Sequence, residues 1–184
     1  MTVRHNNSPS PFLMDNIDLV LALAGPGPVL DLACGSGVNG LVLAEKGVEV
    51  HFFDKDKKRL EEILLARKKR HLNISVRQTD LENGRTDILP KDSFRAVMVF
   101  RYLHRPLMPW IKQSVRPGGL VIYETFTFEQ ARLGKPSNPD FLLQENELPG
   151  WFQGWQILKH YQGRLEGPER YMAGILARKK GASV

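Results

Sequence analysis

At 184 residues, with 42% hydrophobic and 25% charged side chains, the chain has the size and composition of one globular domain with a full core. Its single cysteine, Cys34, excludes an internal disulfide, and the polar stretch Met1 to Ser10 lacks the apolar run of a secretory signal. A net charge of +6 and a pI of about 9.5 admit an anionic substrate or a polyanion without requiring either. The apolar stretch Ile17 to Ala24 is too short to span a bilayer and contains Asp18. These features read as one cytoplasmic domain over 1–184, away from the membrane, as monomer or homodimer.

In chain order, a helical segment within 1–27 is expected to start near Pro11 and to stop before Gly25-Pro26-Gly27-Pro28. Val29 to Leu32 reads as a buried strand followed by a glycine turn. Asn39 to Lys46 gives a short helix stopped by Gly47, and a second strand runs from Val48 to Phe53 and ends at Asp54. Lys57 to Arg70 is helical, with Leu60, Ile63 and Leu64 on one face. Strands are expected at Asn73 to Arg77 and Arg95 to Arg101. Pro106 restricts the next helix to Leu107 to Val115. Gly118-Gly119 then leads into a strand from Leu120 to Glu124, and two more strands close the chain, Trp155 to Tyr161 and Tyr171 to Arg178.

Alternating strands and helices followed by a closing strand pair imply a mostly parallel α/β sheet of seven strands, with one antiparallel edge strand and helices on both faces. Ligands in such sheets bind at the carboxyl ends of the strands. Gly35, Gly37 and Gly40 spell G-x-G-x-x-G, and Asp54 follows Gly35 at about the 20-residue spacing of a dinucleotide fingerprint. The glycines alone suggest NAD. Asp31 argues against it, because a pyrophosphate over this turn would face a like charge. S-adenosylmethionine carries a cationic sulfonium and an amino group there instead, which Asp31 attracts.

The run Val29-Leu30-Asp31-Leu32-Ala33-Cys34-Gly35-Ser36-Gly37 resembles motif I of the class I S-adenosylmethionine-dependent methyltransferases, with Ala33 in place of the first glycine. The resemblance implies a Rossmann-like fold and roles at later strand ends. Asp54 matches the acid that takes the ribose hydroxyls, Asp80-Leu81 the pair that contacts adenine, and Pro117-Gly118-Gly119 the turn before the fifth strand. The cofactor-binding candidates are therefore Asp31, Ala33, Cys34, Gly35, Ser36, Gly37, Asp54, Lys55, Asp80, Leu81 and Phe100. A purely structural reading stands beside each: a tight turn for the glycines, a helix cap for Asp54, a solvated turn for Asp80, packing for Cys34. Ser36 is no nucleophile elbow, since Cys34 occupies the required glycine position.

Methyl transfer needs water excluded, a lone pair aligned and, for some acceptors, a proton removed. The segment Phe100-Arg101-Tyr102-Leu103-His104-Arg105-Pro106 follows the fourth strand, and with Tyr123-Glu124-Thr125-Phe126-Thr127 it resembles a bacterial group of tellurite-resistance-type methyltransferases. His104 is the candidate base, against a histidine bonded to a loop carbonyl. Arg105 either holds an anionic substrate or pairs with an acid, and Tyr102 either walls the methyl pocket or packs in the core. Tyr123 and Glu124 either face the pocket or form a buried hydroxyl–carboxylate pair. The stretch 125–150 is long and rich in Pro and Gly, and Phe126, Phe128 and Phe141 give it an apolar side to close over a substrate.

The five histidines show no metal-ligand spacing, so no metal is expected. The leading reading is methyl transfer to a small acceptor. An RNA methyltransferase, a non-catalytic S-adenosylmethionine-binding or interaction protein, and an NAD-dependent oxidoreductase are the alternatives. The basic runs Arg67 to Arg70 and Arg178 to Lys180 are what the RNA reading rests on, and neither is interleaved with aromatics.

Overall fold

The structure, a computed structural model, describes residues 8–84 and 88–181. Seven strands lie in one sheet in the order β3-β2-β1-β4-β5-β7-β6. They are β1 Val29–Leu32, β2 Val50–Asp54, β3 Ile74–Gln78, β4 Phe94–Phe100, β5 Val115–Phe126, β6 Gln156–Leu165 and β7 Arg170–Arg178. β1 to β5 are parallel, and β7 runs antiparallel between β5 and β6. From β1 the chain winds outward through β2 and β3, then returns to β4 on the other side. That reversal opens a crevice at the carboxyl ends of β1 and β4.

Strand alternation sorts the core into two layers. Leu30, Leu32, Val97, Val99 and Val121 face one side, where they meet Leu107, Ile111 and Phe152. Val29, Phe52, Ala96, Met98 and Ile122 face the other, against Leu13, Ile17 and Val20 of α1 (Pro11–Leu23) and Leu43 of α2 (Val38–Glu45). Leu60 and Ile63 of α3 (Lys57–Arg70) join this second layer. Asp31 shares it, which puts a carboxyl among apolar side chains.

Local chemistry fixes the helix ends. Ser10 caps α1 by accepting from the Leu13 N–H, with Pro11 at the first helical position, where a missing N–H costs no bond. Asp56 caps α3 through the Lys58 and Arg59 N–H groups. Arg67 to Arg70 then fall in the last turn of α3, where cations complement the helix dipole, and His71 closes it in the left-handed region.

The structure departs most from the sequence expectation in β5 and the covering stretch, and β6 runs on to Leu165 rather than ending at Tyr161. β5 starts at Val115 rather than Leu120, because a register shift against β4 between Phe94 and Ala96 takes Pro117-Gly118-Gly119 into the strand. Gly119 is required there: a Cβ would lie 2.6 Å from the Arg95 carbonyl. The covering stretch also contains 3-10 turns at Phe128–Arg132 and Pro139–Phe141 and a short helix, α5 (Glu147–Trp151). Pro149 argues against a helix in the sequence, yet it sits in the first turn, where no intrahelical donor is needed. After β4, a 3-10 turn at Arg105–Leu107 accommodates Pro106 before α4 (Met108–Ser114). No helix among the described residues is long and apolar enough to cross a membrane.

Candidate functional site

The turn after β1 is built from left-handed residues. Ala33, Gly35 and Gly37 have φ of 54°, 55° and 71°. For Ala33 this costs about 1–2 kcal/mol, a strain that the first glycine of the motif would avoid. Close approach also limits Gly37 and Gly40: a Cβ at Gly37 would meet the Ile63 side chain of α3 at 2.7 Å, and Gly40 faces β2. At Gly40 a Cβ would meet the Phe52 ring at 2.4 Å and the Asp31 carboxyl at 2.8 Å. Gly40→Ala should therefore cost about 1–3 kcal/mol through overpacking, read as a lower midpoint in urea. An unchanged midpoint would show that Phe52 yields without cost.

Asp54 ends β2 beside this turn. Its Oδ2 accepts the Gly35 N–H at 2.7 Å and its Oδ1 accepts the Asp56 N–H at 2.9 Å. Asp54 thus holds the glycine turn and starts α3. Behind the turn, Asp31 is 2% exposed and its Oδ2 accepts the Gly40 N–H at 2.9 Å. Burial pushes its carboxyl up to about 8; the Gly40 N–H opposes the shift and the charge of Asp54 adds to it. Burial also raises the Cys34 thiol far above its usual range, so that side chain is an unreactive packing group.

A cavity of about 470 Å³ opens over the carboxyl ends of the strands. One end is lined by Ala33, Gly35, Asp54, Lys55, Asp80 and Leu81, and also by Arg59, Thr79 and Glu82. The other end is lined by Arg101, Tyr102, Leu103, Thr125 and Phe126, with Pro136 and Phe141 reaching in from the covering stretch. Asp31, Cys34, Ser36, Gly37, Phe100, His104 and Arg105 are not among the lining residues. Phe100 is buried in the second core layer, Ser36 and Gly37 continue the turn, and His104 precedes the 3-10 turn without capping it. Asp80 holds the local bend by accepting the Glu82 N–H at 3.0 Å.

Arg105 is engaged elsewhere, in a bidentate pair with Glu147 and in bonds to the carbonyls of Asp140 and Leu142. The Tyr102 hydroxyl is buried, and desolvation together with the nearby Glu82 carboxylate raises it above its ordinary range. Tyr123 donates to the Tyr102 carbonyl at 2.9 Å. Glu124, 3% exposed, accepts hydroxyl bonds of 2.6 Å from both Ser10 and Tyr161. This hydroxyl–carboxylate cluster ties α1 and β6 to the end of β5.

Sequence reasoning assigned no role to Arg101 or Arg170. Arg101 adopts φ 56°, with its N–H on the Glu124 carbonyl. Desolvation, then the like charge of Arg170, lowers its guanidinium, and the Glu124 carboxylate opposes the shift. The Nε of Arg170 is buried with no hydrogen-bond partner. Arg101 lines the cavity, with Arg170 and the Glu124 carboxylate close to it outside the lining. Arg101 follows a strand end, which is a local signal; Arg170 arrives from the far end of the chain and has none. No cluster of His, Cys, Asp and Glu suited to a metal ion occurs among the described residues.

The family model described as tellurite resistance protein TehB matches residues 12–167. A probable S-adenosyl-L-methionine-dependent methyltransferase TehB from Haemophilus influenzae is 28% identical over 172 residues, covering 86% of this chain and 59% of that protein. The mouse glycine N-methyltransferase is 32% identical over 114 residues, covering 52% of this chain and 39% of the enzyme. The crystal structure of TehB from Haemophilus influenzae superposes with a TM-score of 0.74 at 25% identity, covering 91% of this chain and 62% of that one. The [4+2]-cyclase SpnF shares the fold, with a TM-score of 0.72 at 15% identity, covering 93% of this chain and 81% of that one. The chain spans about three fifths of the length of the first curated relatives it matches, 59% in each case.

Proposed function

Because the chain belongs to the tellurite resistance protein TehB family, we propose that it is an S-adenosylmethionine-dependent methyltransferase acting on a small anionic acceptor. The observation that carries the cofactor reading is the bond from the Gly35 N–H to Asp54. In a dinucleotide site that amide and its neighbours face a pyrophosphate; here a carboxylate already occupies it, and an anion would meet repulsion. A cofactor with ribose hydroxyls and cationic groups fits the same wall.

When bound, the cofactor supplies a methyl carbon activated by its sulfonium. Asp54 takes the ribose hydroxyls with its remaining lone pairs, Asp80 and Leu81 border the adenine, and Lys55 flanks the ribose. Ala33 and Gly35 bring backbone close to the methionine portion, with Cys34, Ser36 and Gly37 shaping the turn and Phe100 supporting it from the core. Tyr102, Phe126 and Phe141 wall the acceptor end and exclude water. Arg101, with Arg170 behind it, draws an anion to this end. Tellurite, the oxyanion in the family's name, has that chemistry.

His104 lies outside the lining and the Tyr102 phenol is a poor base, so this reading favours an acceptor that attacks through a lone pair without losing a proton. A single cysteine, which allows no internal disulfide, fits a reducing cytoplasm.

S-adenosylmethionine and S-adenosylhomocysteine should each raise the melting temperature, and NAD should not. With tellurite as the probe, release of S-adenosylhomocysteine measures transfer. Arg101→Ala should raise KM for tellurite about tenfold or more while leaving cofactor affinity unchanged. Stabilisation by NAD alone would overturn the cofactor reading. Cofactor binding without turnover on any anion would overturn the anionic acceptor, and without turnover on any acceptor would make the chain a binding protein.

A further inference from the structure

We infer that Arg105 is a positioning residue, the latch that seats the 127–146 segment over the cavity, and that Phe141 held in this way limits the size of the acceptor. The inference rests on the methyltransferase reading for its acceptor but not for its mechanical part.

The four bonds of Arg105 are arranged around one side chain. Its Nη1 donates to the Asp140 carbonyl at 3.0 Å and its Nη2 to the Leu142 carbonyl at 2.8 Å, the carbonyls of the residues on either side of Phe141. Its Nε and Nη2 also hold the two oxygens of Glu147 at 2.6 and 2.9 Å. Glu147 in turn accepts the Gln144 N–H at 2.8 Å, which closes the segment on itself. The bidentate fork uses the planar geometry that a lysine lacks. Glu147 is 15% exposed by side chain, so the pair is substantially shielded from water.

Phe141 needs such a holder. It is 49% exposed, contributes to neither core layer, and yet lines the cavity. Side-chain packing therefore does not fix it, whereas the backbone on either side is fixed. The rest of the segment is anchored at its base. The Leu143 N–H bonds the Phe126 carbonyl, the Phe128 N–H bonds the Leu143 carbonyl, and Gln130 accepts the Tyr171 N–H. Leu133 to Lys135 form the exposed tip, tied to the base through Gln130, whose carbonyl accepts the Leu133 and Gly134 N–H groups and whose side-chain amide donates to the Lys135 carbonyl at 3.2 Å. Removing the latch would free the turn that carries Phe141 and leave the tip held by Gln130 alone, with the base in place.

Limited trypsin digestion at the Arg132–Leu133 bond reads the segment directly. Arg105→Ala should speed this cleavage about tenfold or more with other tryptic sites unchanged. Arg105→Lys should restore part of the protection. Glu147→Gln keeps the shape and should give a smaller increase, which serves if Arg105→Ala folds poorly. With tellurite as acceptor, Arg105→Ala should raise KM more than it lowers kcat, with affinity for S-adenosylhomocysteine within about twofold. Phe141→Ala should reproduce the KM change without the change in cleavage. Unchanged cleavage in both the Arg105→Ala and Glu147→Gln proteins would overturn the latch, as would acceleration at every tryptic site. Failure of the parent protein to methylate tellurite would count against the acceptor class, and digestion would still decide the latch.

Discussion

Asp54→Ala should weaken S-adenosylmethionine binding by at least two orders of magnitude, measured by titration calorimetry, with a modest loss of stability. Two terms add. Hydrogen bonds from ribose hydroxyls to a carboxylate are worth about 1.5–3 kcal/mol each, so losing two removes roughly 3–6 kcal/mol of affinity. The second term is the protein's own geometry, since Asp54 holds the Gly35 N–H at 2.7 Å and the Asp56 N–H at 2.9 Å. Without it the glycine turn loses the partner that keeps it open toward the cavity, and α3 loses the bond that positions its capping residue. Asp54→Asn should fall between, because the amide keeps one acceptor oxygen and turns the other into a donor facing a donor. S-adenosylhomocysteine should lose as much affinity as S-adenosylmethionine, because both carry the ribose. An affinity within about threefold of the parent would place the ribose elsewhere.

Much of this wall was legible from sequence because its parts are local. β1 is a buried run followed at once by glycines, and Asp54 closes the next strand; strand period and turn chemistry specify both without any knowledge of contacts. α1 was expected to start near Pro11 and to stop before Gly25-Pro26, and the helix found is Pro11–Leu23. Arg105 left two readings open, and the carboxylate that engages it, Glu147, lies 42 residues away near the end of the covering stretch. Nothing near Phe141 says that its two neighbouring carbonyls are gripped by one guanidinium. The Ser10–Glu124–Tyr161 cluster has the same character, joining three elements that meet only once the sheet is assembled. Local patterns name the elements; which polar groups find each other depends on sheet order, and β7 entering beside β5 is what brings Arg170 near Arg101.

Asp31 is where the sequence argument and the structure meet least simply. Its charge was the reason to prefer a cationic cofactor, yet the carboxyl stands behind the glycine turn, buried, with its proton retained up to about pH 8. In an unfolded chain the same group ionises near the ordinary value of about 3.9. Between these two values the native state holds a proton that the unfolded state has lost, so stability falls as pH rises through the window from about 4 to about 8. Each pH unit is worth up to about 1.4 kcal/mol, and a few kcal/mol accumulate across the window. Asp31→Asn removes this titration, and its side-chain oxygen can still accept the Gly40 N–H. The variant should therefore be close to the parent in stability at pH 4.5 and more stable by a few kcal/mol at pH 8, seen as diverging melting temperatures. A cationic group bound across the turn favours the ionised acid, so S-adenosylmethionine should narrow that divergence and release a proton on binding near pH 7. S-adenosylhomocysteine, which lacks the sulfonium, should do so less. Parallel melting profiles for parent and variant from pH 4.5 to 8 would show that Asp31 titrates normally, and the charge argument for the cofactor would then rest on Asp54 alone.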